Sequence, residues 1–129
     1  MPQSIAFFGA LTPHKLWERD NSRVTVSIYA QKANLQDTQI YDELPNGFHT
    51  NYIYRLEPGE IISLSSIDGH DLTKPWWVIR QAVGAGVFNE CMVYQEYLDS
   101  SIMVKLEEKG ITSTQGLPFL VLALLVGSQ

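Results

Sequence analysis

Residues 23–31 read RVTVSIYAQ. In an extended chain Val24, Val26, Ile28 and Ala30 fall on one side, and Thr25, Ser27 and Tyr29 on the other. Period two marks a strand with one face in a core and one in water. β-Branched residues on both sides favour the strand, because a helix would freeze their side chains against the preceding turn. The segment therefore sets the fold class: a strand of an antiparallel sheet with one solvated face.

Outward from it, the same period recurs and period 3.6 mostly does not. HTNYIYRL (49–56) is a second run, EPGE (57–60) a turn, and EIISLSS (60–66) a return, so residues 50–65 are expected to form a hairpin. ELPNG (43–47) reads as a turn after a short strand near Gln39–Tyr41. DGHD (68–71) is another turn, and PWWVIRQAV (75–83) a strand opening at a proline, ended by GAG (84–86). Residues 87–109 allow two readings. As a helix, Cys91, Tyr94, Leu98, Ile102 and Leu106 would share a face. As a hairpin, VFNECMVYQ and IMVKLEE would pair across YLDSS, with Ile102, Val104 and Leu106 facing in. Turn residues in the middle and valine and isoleucine in the arms favour the hairpin. The expected fold is mainly β: a single antiparallel β-sandwich or jelly-roll-like domain over residues 1–129, with about seven or eight strands and room for one helix within 87–109.

Three stretches break the one-face rule. FLVLALLV (119–126) is apolar on both sides, as are PWWVIR (75–80) and SIAFFGAL (4–11). A fully buried large aliphatic side chain is worth roughly 1.5–3 kcal/mol, so both faces of such strands need cover. In a two-layer domain the second cover is a loop, a helix or another chain, and of internal cover and self-assembly the latter is expected. The expected interface residues are Phe119, Leu120, Leu122, Leu124, Val126, Trp76, Trp77, Phe7 and Phe8.

Composition points the same way. Hydrophobic residues make up 45% of the 129 and charged residues only 18%, so little of the surface is written for water. Net charge is −5, spread as −2 over residues 1–65 (five Lys/Arg, seven Asp/Glu) and −3 over 66–129 (four, seven). Without a basic patch, neither nucleic acid nor an anionic membrane surface is an expected partner. The apolar run near the C-terminus is about half the roughly 20 residues of a membrane helix, and the N-terminal stretch lacks a basic region, so neither a span nor a signal peptide is expected. Cys91, the only cysteine, sits among apolar neighbours and reads as a small core residue made in a reducing compartment.

Candidate chemistry is thin. Asp68, His70 and Asp71 could begin a metal site, but no histidine pair at ligand spacing accompanies them, and Asp-Gly is an ordinary turn. GFHTNYIYRLEPGE offers one histidine where a cupin-type metal site needs two separated by one residue. No Gly-x-Ser-x-Gly occurs, GAG lacks the context of a phosphate loop, and Glu107–Glu108 and Asp42–Glu43 would point to opposite faces of a strand. No catalytic residue, metal or cofactor is expected. Aromatic residues with polar neighbours give a second reading, a carbohydrate- or receptor-binding module using Trp17, Tyr52, Tyr54 and Trp76. The reading carried forward is a non-enzymatic structural subunit, a capsid decoration (cement) or minor virion protein of a bacterial virus. It is expected to be a homo-oligomer, a trimer at first reading, binding neighbouring subunits of a larger particle.

Overall fold

The computed structural model describes residues 3–10, 12–81 and 88–114. They form strands β1 (Gln3–Phe8), β2 (His14–Lys15), β3 (Arg23–Ala30), β4 (Thr38–Tyr41), β5 (Tyr54–Leu56), β6 (Ile61–Ser65), β7 (Trp77–Arg80) and β8 (Asn89–Tyr97). A 3-10 turn (Ser66–Asp68) follows β6, and one helix, α1 (Ser100–Glu108), follows β8. The strands make two antiparallel four-stranded sheets, ordered β1-β8-β3-β6 and β2-β7-β4-β5. The mainly β sandwich expected from the period-two pattern is the observed architecture.

The core lies between the sheets. Ala6, Phe8, Val26, Ile28, Ala30, Leu64, Cys91 and Val93 come from the first sheet, and meet Ile40, Leu56 and Val78 from the second together with Leu16, Trp17, Leu72 and Trp76 from the segments that flank its strands. β3 behaves as its sequence dictates: Val26, Ile28 and Ala30 are buried while Thr25, Ser27 and Tyr29 are half-buried on the outer face. Asn89 ties the layers together from β8, donating its side-chain amide to the Gln36 carbonyl (2.8 Å) and Thr38 Oγ1 (3.1 Å).

Three expectations change. The 50–65 hairpin does not exist, because β5 pairs with β4 and β6 with β3. The EPGE turn instead carries the chain from one sheet to the other, with Gly59 at φ 90°. Residues 88–109 form neither the hairpin nor one continuous helix: the first arm is β8, and the second is α1, the one helix for which the sequence leaves room. Asp99 caps α1, accepting from the Ser101 N–H (2.8 Å) and hydroxyl (2.6 Å), and these bonds hold its carboxyl below the ordinary range. At the far end Gly110, at φ 81°, donates to the Glu107 carbonyl (3.0 Å) while Ile111 donates to that of Leu106 (2.9 Å). That is a Schellman ending, which a left-handed glycine supplies. Ile102 and Leu106, one turn apart, pack on Val24 and Leu98 in a second small core. Valine and isoleucine in the arm misdirect the strand reading, while the cap at Asp99 and the stop at Gly110 decide for the helix.

The third change concerns strands apolar on both sides. β7 is one: Val78 and Ile79, on opposite faces, are both fully buried within a single chain. β1 is not: Ala6 and Phe8 enter the core, whereas Ile5 and Phe7 are 62% and 61% exposed. The 119–126 segment lies outside the described residues.

Candidate interaction face

Strand pairing sets out the outer face of the first sheet row by row. Ile5 of β1 stands opposite Met92 of β8, Met92 opposite Tyr29 of β3, and Tyr29 opposite Ile61 of β6. One apolar row therefore crosses all four strands. Phe7, two residues along β1 on the same face, stacks on Phe88 with ring centroids 5.0 Å apart. Phe88 and Ile61 are 54% and 59% exposed, so the band is open at both ends. The neighbouring row is polar: Gln3, Tyr94, Ser27 and Ser63, with the two serine hydroxyls 3.0 Å apart. Beyond it Thr25 donates to Glu96 (2.8 Å). Glu90 of β8, opposite Phe7, sets one carboxylate into the apolar end, and away from that end the face grades to polar, where the outer face of an ordinary sandwich is polar throughout.

The expected interface residues are scattered by the fold. Phe7 lies on the band. Phe8 (2% exposed) and Trp76 (0%) are core, which corrects their placement at an interface. Trp77 is half-buried and faces away on the second sheet, opposite Lys15 and Tyr41. Phe119, Leu120, Leu122, Leu124 and Val126 lie outside the described residues. Sequence reasoning missed Ile5, Met92, Phe88 and Ile61, because only strand order brings residues this far apart in the chain into one row.

The carbohydrate reading loses its tryptophans. Trp17 and Trp76 pack together in the core, centroids 5.9 Å apart, with indole N–H groups bonded to the carbonyls of Lys74 (2.8 Å) and Asp71 (2.9 Å). Neither offers a ring face to a sugar. Tyr54 is half-buried, its hydroxyl 2.9 Å from His70 Nε2, and Tyr52 stands partly exposed with its edge against Tyr41. The DGHD turn is occupied structurally as well: Asp71 accepts from the Thr73 N–H (3.1 Å) and hydroxyl, and the His70 ring leans on Trp76. Among the described residues no three His, Cys, Asp or Glu side chains converge on a metal-sized site. A shallow groove of about 390 Å³ beside α1, lined by Asp20, Leu98, Met103 and Glu107 among others, carries acid and no base, and Asp20 is already bound to Ser22.

A second exposed apolar feature is the loop after β4. Asn46 and Asn51 bind it from within: Asn46 Oδ1 accepts from the N–H groups of Phe48 (3.1 Å) and Thr50 (3.0 Å), and Asn51 Oδ1 from that of Asn46 (2.8 Å). Phe48 stands on this frame 90% exposed. The loop thus leaves a large apolar ring in water above a hydrogen-bonded backbone.

No helix among the described residues is long and apolar enough to cross a membrane. No protein-family model, curated protein or solved structure matches the chain.

Proposed function

We propose that this chain is a non-enzymatic structural subunit that assembles with other protein chains through the outer face of the β1-β8-β3-β6 sheet. The supporting observation is the continuous band Phe88, Phe7, Ile5, Met92, Tyr29 and Ile61, four of whose members are more than half exposed. Burying one such side chain fully is worth roughly 1.5–3 kcal/mol, so covering the band supplies a driving force on the scale of a protein–protein contact. The hydrogen-bonded Phe48 loop gives the same subunit a second point of contact. Two contact elements on one small domain suit a protein that ties neighbours together, because linked contacts act at high effective concentration.

The concrete form we propose is a decoration or minor structural protein of a bacterial virus particle. Antiparallel double-sheet sandwiches recur in capsid proteins, which is an argument from fold analogy. The test of the assembly reading is a double variant at the apolar end of the band. Ile5→Glu with Phe7→Glu alters two exposed side chains, so folding should survive, and the particle seen by light scattering should fall to single chains. Retention of the full assembled mass by the folded double variant contradicts the reading.

A further inference from the structure

We propose that two copies of this chain join edge to edge through β1, antiparallel about a two-fold axis at Ile5, so that the first sheet continues into its copy. The inference rests on the assembly reading, names a second copy as one partner, and adds an edge contact that leaves the apolar face open to further chains. β1 pairs with β8 on one side, and no strand lies on its other side among the described residues. Gln3, Ser4 and Ile5 are exposed, as a free edge requires. An unpaired edge presents a row of backbone donors and acceptors to any passing strand, and proteins that must stay apart block it with lysine, proline, a bulge or an inward charge. β1 has none of these. Its sequence QSIAFF contains no charge and no proline, and its register on β8 is unbroken.

The partner that fits such an edge is another copy. The chain carries a net charge of −5, so copies repel across most of their surface, but residues 3–8 bring no charged side chain to a shared junction. Opposed residues of antiparallel strands point to the same face, so the register must pair outward residues with outward ones. Pairing about Ile5 does so: Ile5 meets Ile5 of the copy, Gln3 meets Phe7, and Ser4 meets Ala6. The apolar row that runs from Ile61 to Ile5 then continues from Ile5 to Ile61 of the copy without a gap. Pairing further along is stopped at Gly9, whose carbonyl is taken by the Arg80 N–H (2.9 Å) as the chain leaves for the second sheet. The other edge strand, β6, is also uncharged, but presents Ser63 and Ser65 beside Ile61 and so offers a copy fewer apolar contacts. The contact is isologous and closes at two chains.

The test uses the full chain and three variants. Wild type should weigh two chains by light scattering and dissociate on dilution, since a five-residue junction is smaller than a standard interface. Ile5→Lys places two ammonium groups on the axis and should give folded single chains whose melting temperature no longer depends on concentration. Ile61→Lys, on the same face but at the far edge, should leave the pair intact. Ile5→Cys should form a covalent pair on treatment with diamide, because opposed Cβ atoms lie within about 5 Å. The native Cys91 is fully buried and should not cross-link. A wild-type monomer overturns both this inference and the assembly reading. A pair that Ile61→Lys dissolves and Ile5→Cys does not lock overturns the edge geometry alone and leaves the face as the contact. A mass of three chains, the number expected from sequence, also overturns the two-fold.

Discussion

Arg23 opens β3 and is only 2% exposed, an unusual place for a guanidinium. Among the described residues no carboxylate meets it. Its Nε donates to Gln95 Oε1 (2.8 Å), Nη1 to the Leu72 carbonyl (2.8 Å) and Nη2 to the Glu18 carbonyl (2.9 Å). Two aromatic faces complete the shell, with Trp17 5.1 Å and Tyr97 5.6 Å from the guanidinium carbon. A planar fork satisfies three acceptors at once and stacks between rings, which an ammonium cannot do. Removing it takes the donor from the Leu72 and Glu18 carbonyls while Gln95 Oε1 keeps the Tyr97 hydroxyl (3.0 Å), so Arg23→Ala should cost about 3 kcal/mol in urea unfolding, and Arg23→Lys should recover only part of that. Nothing in RVTVSIYAQ marks this residue, because a charge at the start of a strand reads as solvent-facing. Cys91 was legible: apolar neighbours place it in the core, where burial and then Glu90 push its thiol up to about 12. The raised value means that the folded state keeps the proton after the unfolded chain has lost it. Stability from this source is full below the ordinary thiol range near 9.0 and declines as pH rises from there towards 12. Each pH unit in that window should lower unfolding free energy by up to roughly 1.4 kcal/mol, and Cys91→Ala should abolish that component. A native thiol that reacts with Ellman's reagent as fast as the unfolded chain contradicts the burial.

At the scale of elements, α1 shows how a local rule and a capping rule compete. The arm IMVKLEE offers alternation to a strand and Ile102/Leu106 spacing to a helix, and the two readings disagree about one residue. In a hairpin Val104 faces the core with its neighbours; in the helix it is 53% exposed while Ile102 and Leu106 are buried. Val104→Glu should therefore change stability by no more than about 0.5 kcal/mol, as surface substitutions do. Ile102→Ala should cost about 2–4 kcal/mol by emptying the small core against Val24 and Leu98. The reverse order in a denaturant titration would restore the hairpin. Nine residues are too few for a helix to persist alone, so this packing, together with the two caps, is what holds α1. The strands themselves were readable wherever one face is buried, as in β3, because alternation carries the information. Partner choice was not readable: β5 and β6 flank a turn that would suit a hairpin, yet each pairs elsewhere, because hydrogen-bond partners are fixed by the whole sheet order.

For the whole molecule, the sandwich was legible and the proposed contact face only in part. Low charge and apolar stretches pointed to contact with other chains, and Phe7 was among the residues expected there. β7 needs no second chain to cover it, and Trp76 and Phe8 serve the core, so the argument from two-sided strands shifts to the outer face of the first sheet. That face is built by residues 5, 7, 29, 61, 88 and 92, which only tertiary structure gathers. Its exposure is the observation on which the assembly reading stands. The most direct test is the mass of the purified 14.6 kDa chain in solution, by light scattering behind a sizing column at two concentrations. The account predicts two chains per particle at the higher concentration, with a shift towards one on dilution. A single chain at both concentrations would contradict it.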